Sequence, residues 1–286
     1  MKNMRTDVLR TFVTVAQIGG FTQAGELLGR SQPAISLQIK GLEKMLGQAL
    51  LIRSGMNVEL THSGQVLFEY AKKILNLNDE ALGQLDNAAI YGKVKLGIPS
   101  EFATTLLPKI IGRFINAYPN VILEVHCDLS KNLLIKSKRK KYDLILALQD
   151  DPQKEDSNRV KTDELVWVSS DKHDVHLLPE VPLIAAFEGC IYRKRAIAKL
   201  TQKKRPWRLV YTIPDLTGIE AAIQEGLGVT VLAKSTVPDN LVIIKESDKL
   251  PKLGEIGITL IHNESNSNQA IDRLLEFLRI SLVMPQ

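Results

Sequence analysis

The chain predicts an α/β multidomain protein built as an N-terminal winged helix-turn-helix, a long linker helix and a two-lobed α/β domain. Three observations carry this. Two helical patterns joined by a tight polar turn lie between Phe21 and Leu46. A long Pro-free helical run follows from Gln65, and strands alternate with helices from Lys93 onward.

The first element is an amphipathic helix carrying Leu9, Phe12, Val13 and Ala16, stopped by Gly19-Gly20. The second starts at Thr22 as N-cap, has Glu26 in its opening turns, turns Ala24, Leu27 and Leu28 inward, and stops at Gly29-Arg30. Ser31 caps the third, whose Pro33 sits in the first turn, where a missing N–H costs nothing. Ile35, Ile39, Leu42 and Leu46 recur at helical spacing, so one face is buried. The opposite face carries Gln32, Ser36, Gln38 and Lys40: amide and hydroxyl groups plus one cation. A surface meant only for solvation is usually richer in Lys and Glu, whereas base edges in a major groove are read by groups of this kind. Gln32 and Ser36, with Pro33 beside them, are candidates for base contact. Thr22, Arg30, Ser31, Gln38, Lys40 and Arg53 are candidates for phosphate contact, which positions without specifying. The blander alternative is that Gln32, Pro33 and Ser36 only cap and fill the helix start. Ala49 to Leu60 reads as two short strands around Ser54-Gly55-Met56-Asn57, a wing that carries Arg53.

Bulk properties narrow the class. The chain has 286 residues, a net charge of +5 and 44% hydrophobic residues, which suits more than one folded domain and weakly favours a polyanionic partner. No apolar run approaches a membrane span, the N-terminus lacks the apolar core of a signal peptide, and a cytoplasmic, non-membrane protein is expected. Two cysteines make no disulfide framework. The basic runs Lys136 to Lys141 and Arg193 to Arg208 read as solvated faces.

From Gln65 to about Ala89 the positions Leu67, Tyr70, Ile74, Leu77, Ala81, Leu85 and Ala88 alternate steps of three and four. That narrow seam favours a partner helix from a second copy over packing on its own domain. Strands are expected at Lys93 to Ile98, Val121 to Cys127, Asp143 to Leu148, Leu165 to Ser169, Leu183 to Ala186, Leu209 to Thr212 and Val229 to Leu232. A helix runs from Pro99-Ser100 through Phe114, another starts at Ser130, and Asn268 to Leu282 closes the chain. Such repeats imply a largely parallel sheet in two lobes joined by crossing strands, with a cleft between them. The boundaries drawn are 1–62 for the winged helix-turn-helix, 63–91 for the linker and 92–286 for the two-lobed domain. One lobe takes about 92–163 and 267–286, the other about 164–266.

Candidate small-molecule contacts lie at strand-to-helix turns: Ser100 with Glu101 and Phe102, Asp128 and Ser130, Phe187 with Gly189 and Cys190, and Asp215 with Thr217. Each is singly an ordinary cap, and they converge only in a two-lobed fold. Glu101 and Asp128 disfavour a simple polyanion as ligand. Cys127 and Cys190 read as two small buried apolar residues, with a redox switch across the cleft as the sharper alternative.

With these pieces in place the chain resembles the LysR-type transcriptional regulators over nearly its whole length. The specific part is Leu9 to Leu60, above all the run Ser31-Gln32-Pro33-Ala34-Ile35-Ser36, followed by VELTHSG. In the C-terminal part EVHCDLS, EGCIYR, RPWR and GLGVTVL are similar to the branch of motility and exoproduct regulators. The resemblance implies an effector domain like type 2 periplasmic binding proteins, dimers of dimers through the linker helix, binding to inverted repeats in promoter DNA, and a small co-inducer in the interlobe cleft. RNA polymerase is then a further candidate partner. Leu37 and Met56 stand where many members have Arg, and His62 where Pro is frequent, so fewer ionic DNA contacts are expected per copy.

Enzyme chemistry has no support here: the five histidines are scattered, His173-Asp174-Val175-His176 sits in a polar turn, and no nucleophile elbow, P-loop or complete GxGxxG occurs. No catalytic residue, metal or cofactor is expected beyond a small-molecule co-inducer. The alternative to a sequence-specific regulator is a cytoplasmic small-molecule binding module with an N-terminal assembly domain.

Overall fold

The computed structural model describes residues 3–54, 57–86, 90–245, 250–263, 265–266 and 268–283. It divides into two compact units, one of Met1–Ala89 with Asn116–Pro119 and Val283–Gln286, the other of Ile90–Ile115 and Asn120–Leu282.

The N-terminal unit consists of α1 (Thr6–Ile18), α2 (Phe21–Leu27), α3 (Gln32–Leu46), a hairpin of β1 (Leu51–Ser54) and β2 (Asn57–Leu60), and α4 (His62–Asp86). Gly19 ends α1 in a left-handed conformation, its N–H closing on the Val15 carbonyl. Thr22 is not the N-cap of α2. Gly20 takes that place and Phe21 begins the helix, because its ring packs against the core of the unit. Leu27 is 44% exposed, as the last residue of a seven-residue helix, and Leu28 turns inward in its stead. Ser31 holds the N-cap position of α3, though its hydroxyl makes no capping bond, and Pro33 lies in the first turn. Gly25 is there for space: a Cβ would come within 2.5 Å of the Arg30 carbonyl oxygen, where α2 and the chain leading into α3 nearly touch.

The long helix begins earlier than its apolar pattern suggests. Thr61 caps it, its hydroxyl accepting from the Gly64 N–H at 2.8 Å and donating to the Ala49 carbonyl at 2.8 Å. His62, Ser63 and Gly64 are therefore helical, ahead of the start at Gln65 that the apolar pattern predicts. The first half of α4 is also no free linker. Phe68, Ala71 and Leu75 are buried with Leu9, Phe12, Val13, Ile35, Ile39 and Leu42 in one core. Arg10 further ties α1 to Asp79.

In the second unit β3 (Gly92–Ile98) lies parallel to β4 (Val121–Cys127) on one side and to β5 (Leu144–Gln149) on the other. The helix expected from Ser100 to Phe114 is two, α5 (Ser100–Thr105) and α6 (Leu107–Ala117). Pro108 lacks the N–H that would bond back one turn, so the ladder breaks and restarts. The helix expected from Ser130 is likewise two single turns, α7 (Ser130–Leu133) and α8 (Lys136–Arg139), separated by an extended Ile135.

The crossing is made by β6 (Arg159–Ser169), twice as long as its apolar core suggested. Its first half pairs antiparallel with β11 (Glu255–His262). Its second half pairs with β9 (Thr230–Ala233) and β10 (Val242–Ile244). β11 continues antiparallel along β5, so it belongs to the first lobe's sheet. Neither β10 nor β11 was anticipated, and together they make the sheet mixed rather than largely parallel. The second lobe adds β7 (Val181–Ala185) parallel to β8 (Trp207–Thr212), with α9 (Ile191–Gln202) and α10 (Leu216–Gln224) between strands. The closing helix α11 (Gln269–Val283) sets Phe277 edge-on to Phe114 of α6.

Candidate nucleic-acid interface and interlobe cavity

On α3 the buried line Ile35, Ile39 and Leu42 leaves the other side unpacked. Gln32, Pro33, Ala34, Leu37 and Lys40 are exposed and Ser36 is half-buried. Leu37, 73% exposed, sits in the middle of this face. Gln38 lies at its edge, where its amide oxygen accepts from the Thr11 hydroxyl at 2.7 Å and so braces α3 against α1. Arg30 lies 3.9 Å from Asp7, which tempers its charge without burying it. Glu43 points the other way and accepts from the N–H groups of Leu50 and Leu51, locking the wing's first strand onto α3. Arg53 is part of β1, paired with Val58; its side chain and Met56 lie outside the described residues.

The second site is the seam between the lobes. A cavity of about 40 Å³ is lined from the first lobe by Ser100, Glu101, Ser130 and Leu148, and from the second by Ala185, Gly189, Cys190, Tyr192, Arg193 and Leu216, among others. That volume holds a few waters and no metabolite, so a ligand enters only as the lobes part. The most unusual group is Glu101. It is 8% exposed, and burial pushes its carboxyl above the usual range, only partly offset by its own backbone N–H, the Tyr192 hydroxyl and the Ser100 hydroxyl. Tyr192 comes from the opposite lobe, is equally buried, and turns its hydroxyl toward Glu101 without a well-formed hydrogen bond. Ser100 also crosses the seam, donating to the Pro214 carbonyl at 3.3 Å.

Several anticipated residues have other work. Phe102 is wholly buried in the core. Asp128 accepts from the Leu129 N–H, the Asn132 side-chain amide and Lys138, which ties it to its own turn. Asp215 accepts from the Gly218 N–H and caps α10. Phe187 and Thr217 are exposed and line no part of the cavity. Ser130 reaches the cavity, but its hydroxyl accepts from the Leu148 N–H at 2.9 Å. Cys127 is exposed rather than buried, because β4 is the edge strand of the sheet. Partial desolvation of this exposed thiol and the Glu101 charge push it up, and burial lifts Cys190 to about 11, so both favour the unreactive thiol over the thiolate. Among the described residues no cluster of His, Cys, Asp and Glu could hold a metal ion.

Residues 6–65 match the model of the bacterial regulatory helix-turn-helix protein, lysR family, and residues 88–282 that of the LysR substrate binding domain. The chain belongs to the LysR family of transcriptional regulators. It is 29% identical over 284 residues to the regulator DgdR of Burkholderia cepacia, covering 99% of this chain and 96% of that one. With PecT of Dickeya dadantii it shares 31% over 269 residues, 93% and 84% of the two chains. In fold it is similar to DarR of Vibrio fischeri, solved in complex with DNA, at a TM-score of 0.52 and 20% identity over 97% of this chain and 99% of that one. This LysR-type regulator is thus a DNA-binding protein with an effector-binding domain, and its relatives are regulators rather than enzymes. Its two-lobed unit coincides with the substrate-binding match, so the cavity lies in the effector domain. Tyr192, Arg193, Ala185 and Leu148 were missed as cavity residues. Tyr192 lies inside the quoted EGCIYR run, but nothing in the sequence pairs it with Glu101, 91 positions away.

Proposed function

We propose that this regulator binds promoter DNA as a homodimer joined through α4, reads base edges with α3, and changes its DNA complex when a small molecule enters the interlobe cavity. The observation that carries the reading is the pair of opposed faces on α3: one packed against α1 and α2, the other bare and mostly uncharged. Gln32 and Ser36, with Pro33, contact bases on this reading, while Thr22, Ser31, Arg30, Lys40 and Arg53 contact phosphates. Gln38, braced by Thr11, acts through α3's placement as much as by direct contact.

Tyr70 and Leu77 on α4 are 61% and 66% exposed, which supports a second copy along that seam. Pairing of two such dimers, contact with RNA polymerase and residence in the cytoplasm complete the reading; among the described residues no helix is long and apolar enough to cross a membrane. The protein needs no tightly bound cofactor on this view, only a reversible effector. Footprinting on DNA selected from a random pool tests it. Wild type protects a two-fold repeated site, while Gln32→Ala and Ser36→Arg lose sequence preference and stay dimeric. Unchanged preference in both variants defeats the assignment of α3.

A further inference from the structure

Glu101 is a buried carboxyl without a cation. Its polar neighbours are its own backbone N–H and the hydroxyls of Ser100 and Tyr192; among the described residues no lysine or arginine pairs with it. Around it Leu148, Ala185, Leu216 and Ile219 give an apolar wall, while Arg193, also on the lining, donates to the Ala186 carbonyl at 3.3 Å. The Tyr192 hydroxyl is buried against it and lacks a proper partner of its own. A carboxylate placed in such a site pays its desolvation without a compensating ion pair, and a protein usually avoids the arrangement unless something else supplies the charge.

We infer that the interlobe cavity takes a small aliphatic amine, whose ammonium group pairs with Glu101 and donates to the Tyr192 hydroxyl while its hydrocarbon part lies against Leu148, Leu216 and Ile219. The inference rests on the reading of the cavity as the effector site and adds its ligand class. Because Glu101 and Tyr192 come from opposite lobes, an ammonium between them gains contacts to both at once. It thereby links the two lobes once they have parted to admit it, which is the differential contact a ligand needs to shift a two-state hinge. A simple carboxylate meets the like charge of Glu101, and an alcohol offers only a neutral hydrogen bond. The charged pairing is worth about tenfold or more over the neutral one in a desolvated site.

The test uses the full-length protein and three four-carbon probes, n-butylammonium, 1-butanol and butyrate, at constant ionic strength, followed by thermal unfolding. Butylammonium is expected to raise Tm at about tenfold lower concentration than 1-butanol, with butyrate inactive. In Glu101→Gln the amine loses that advantage and matches the alcohol. Equal effects of amine and alcohol on the wild type overturn the inference, even if Glu101→Gln fails to fold. So do a stronger effect of butyrate, an amine advantage that survives in Glu101→Gln, or no shift with any probe. Ala185→Trp, which fills the cavity, separates the two levels. An alcohol or butyrate shift that Ala185→Trp abolishes keeps the cavity and rejects the amine; an amine shift that Ala185→Trp leaves intact rejects the cavity itself.

Discussion

Arg195 of α9 donates to the Asp150 carboxylate at 2.6 Å and to the Asp150 backbone carbonyl, so a side chain of the second lobe grips the end of a strand of the first. The same guanidinium donates to the carbonyls of Leu253 at 2.9 Å and Glu255 at 3.2 Å, where the chain returns across the hinge. Lys194 adds a contact to the other Asp150 oxygen at 2.7 Å. One residue on the helix that also carries Tyr192 thus holds both the end of β5 and the chain returning into β11.

Arg195→Met should loosen this clasp and cost about 1–2 kcal/mol, between an exposed pair and a buried one. Burial alone would raise the Asp150 carboxyl, but the hydrogen bonds from Lys194 and Arg195 outweigh it and hold the group below its ordinary 3.8. The folded form therefore gains stability above that value and loses it as pH falls through the depressed one. Urea unfolding of the effector unit between pH 3 and 6 should show a shallower acid decline in Arg195→Met than in wild type. Parallel declines would mean that the clasp contributes nothing.

Glu101→Gln should stabilise the ligand-free protein by about 1 kcal/mol or more at pH 7. Here the sign is opposite: burial raises the carboxyl above 4.5, so its contribution is intact below that value and is lost as pH rises through the raised one. Wild type and variant should converge in acid and separate toward neutrality in thermal melts. A variant less stable than wild type at every pH would show that Glu101 is already satisfied.

Leu75 and Leu77 are neighbours on α4 with opposite environments, 3% and 66% exposed. Leu77→Glu should split the oligomer and leave the helix-turn-helix folded, seen as halved mass in sedimentation with unchanged helical circular dichroism. Leu75→Ala should instead cost about 2–4 kcal/mol of N-terminal stability by opening a core cavity. An unchanged mass in Leu77→Glu would remove α4 as the seam.

Two helical glycines make a paired experiment. A Cβ on Gly64 would lie 2.0 Å from the Leu50 carbonyl oxygen, whereas Gly41 on α3 has open space around it. Gly64→Ala should destabilise by about 2–3 kcal/mol through that overlap. Gly41→Ala should stabilise by about 0.5–1 kcal/mol from helix propensity. Chemical denaturation of the two variants reads the contrast directly.

Leu37, bare in the middle of α3's outer face, suits a thymine methyl better than a phosphate. Replacing single thymines by deoxyuridine in a selected site should weaken wild-type binding at one position by about 1 kcal/mol. Leu37→Ala should be indifferent to the same change. Leu37→Arg should bind more tightly and steepen the salt dependence by about one unit of slope. A uniform response to deoxyuridine in all three proteins would leave Leu37 without a reading role.

How far the sequence reached depended on the range of the interaction. The helix-turn-helix was legible because its signals are local: Gly19, Gly29 and Pro33 act within a turn of where they stand, and Ile35, Ile39 and Leu42 repeat at helical spacing. The α4 start was misplaced because Gly64 looks like a breaker in sequence, and only the packing of Leu50 against it shows a close approach instead. Strands β10 and β11 escaped notice because one is three residues long and the other follows a polar stretch; their partners on β5 and β6 make them strands. Among the cavity candidates, Ser100, Glu101, Ser130, Gly189 and Cys190 are brought together, while Phe102, Asp128, Phe187, Asp215 and Thr217 are not. A capping residue and a ligand contact look alike along the chain, since both are polar groups at the start of a helix.

By itself, then, the sequence determined the helix-turn-helix with the two faces of α3, the long α4 helix and the alternation that builds two lobes, all encoded by periodicity and capping over a few residues. Only the tertiary structure decided that Glu101 faces Tyr192, that Arg195 grips Asp150, and that Asp128 and Asp215 serve their own helices. The first two relations join residues far apart in the chain, and neither burial nor the pairing of charges exists until β6 and β11 have brought the lobes together.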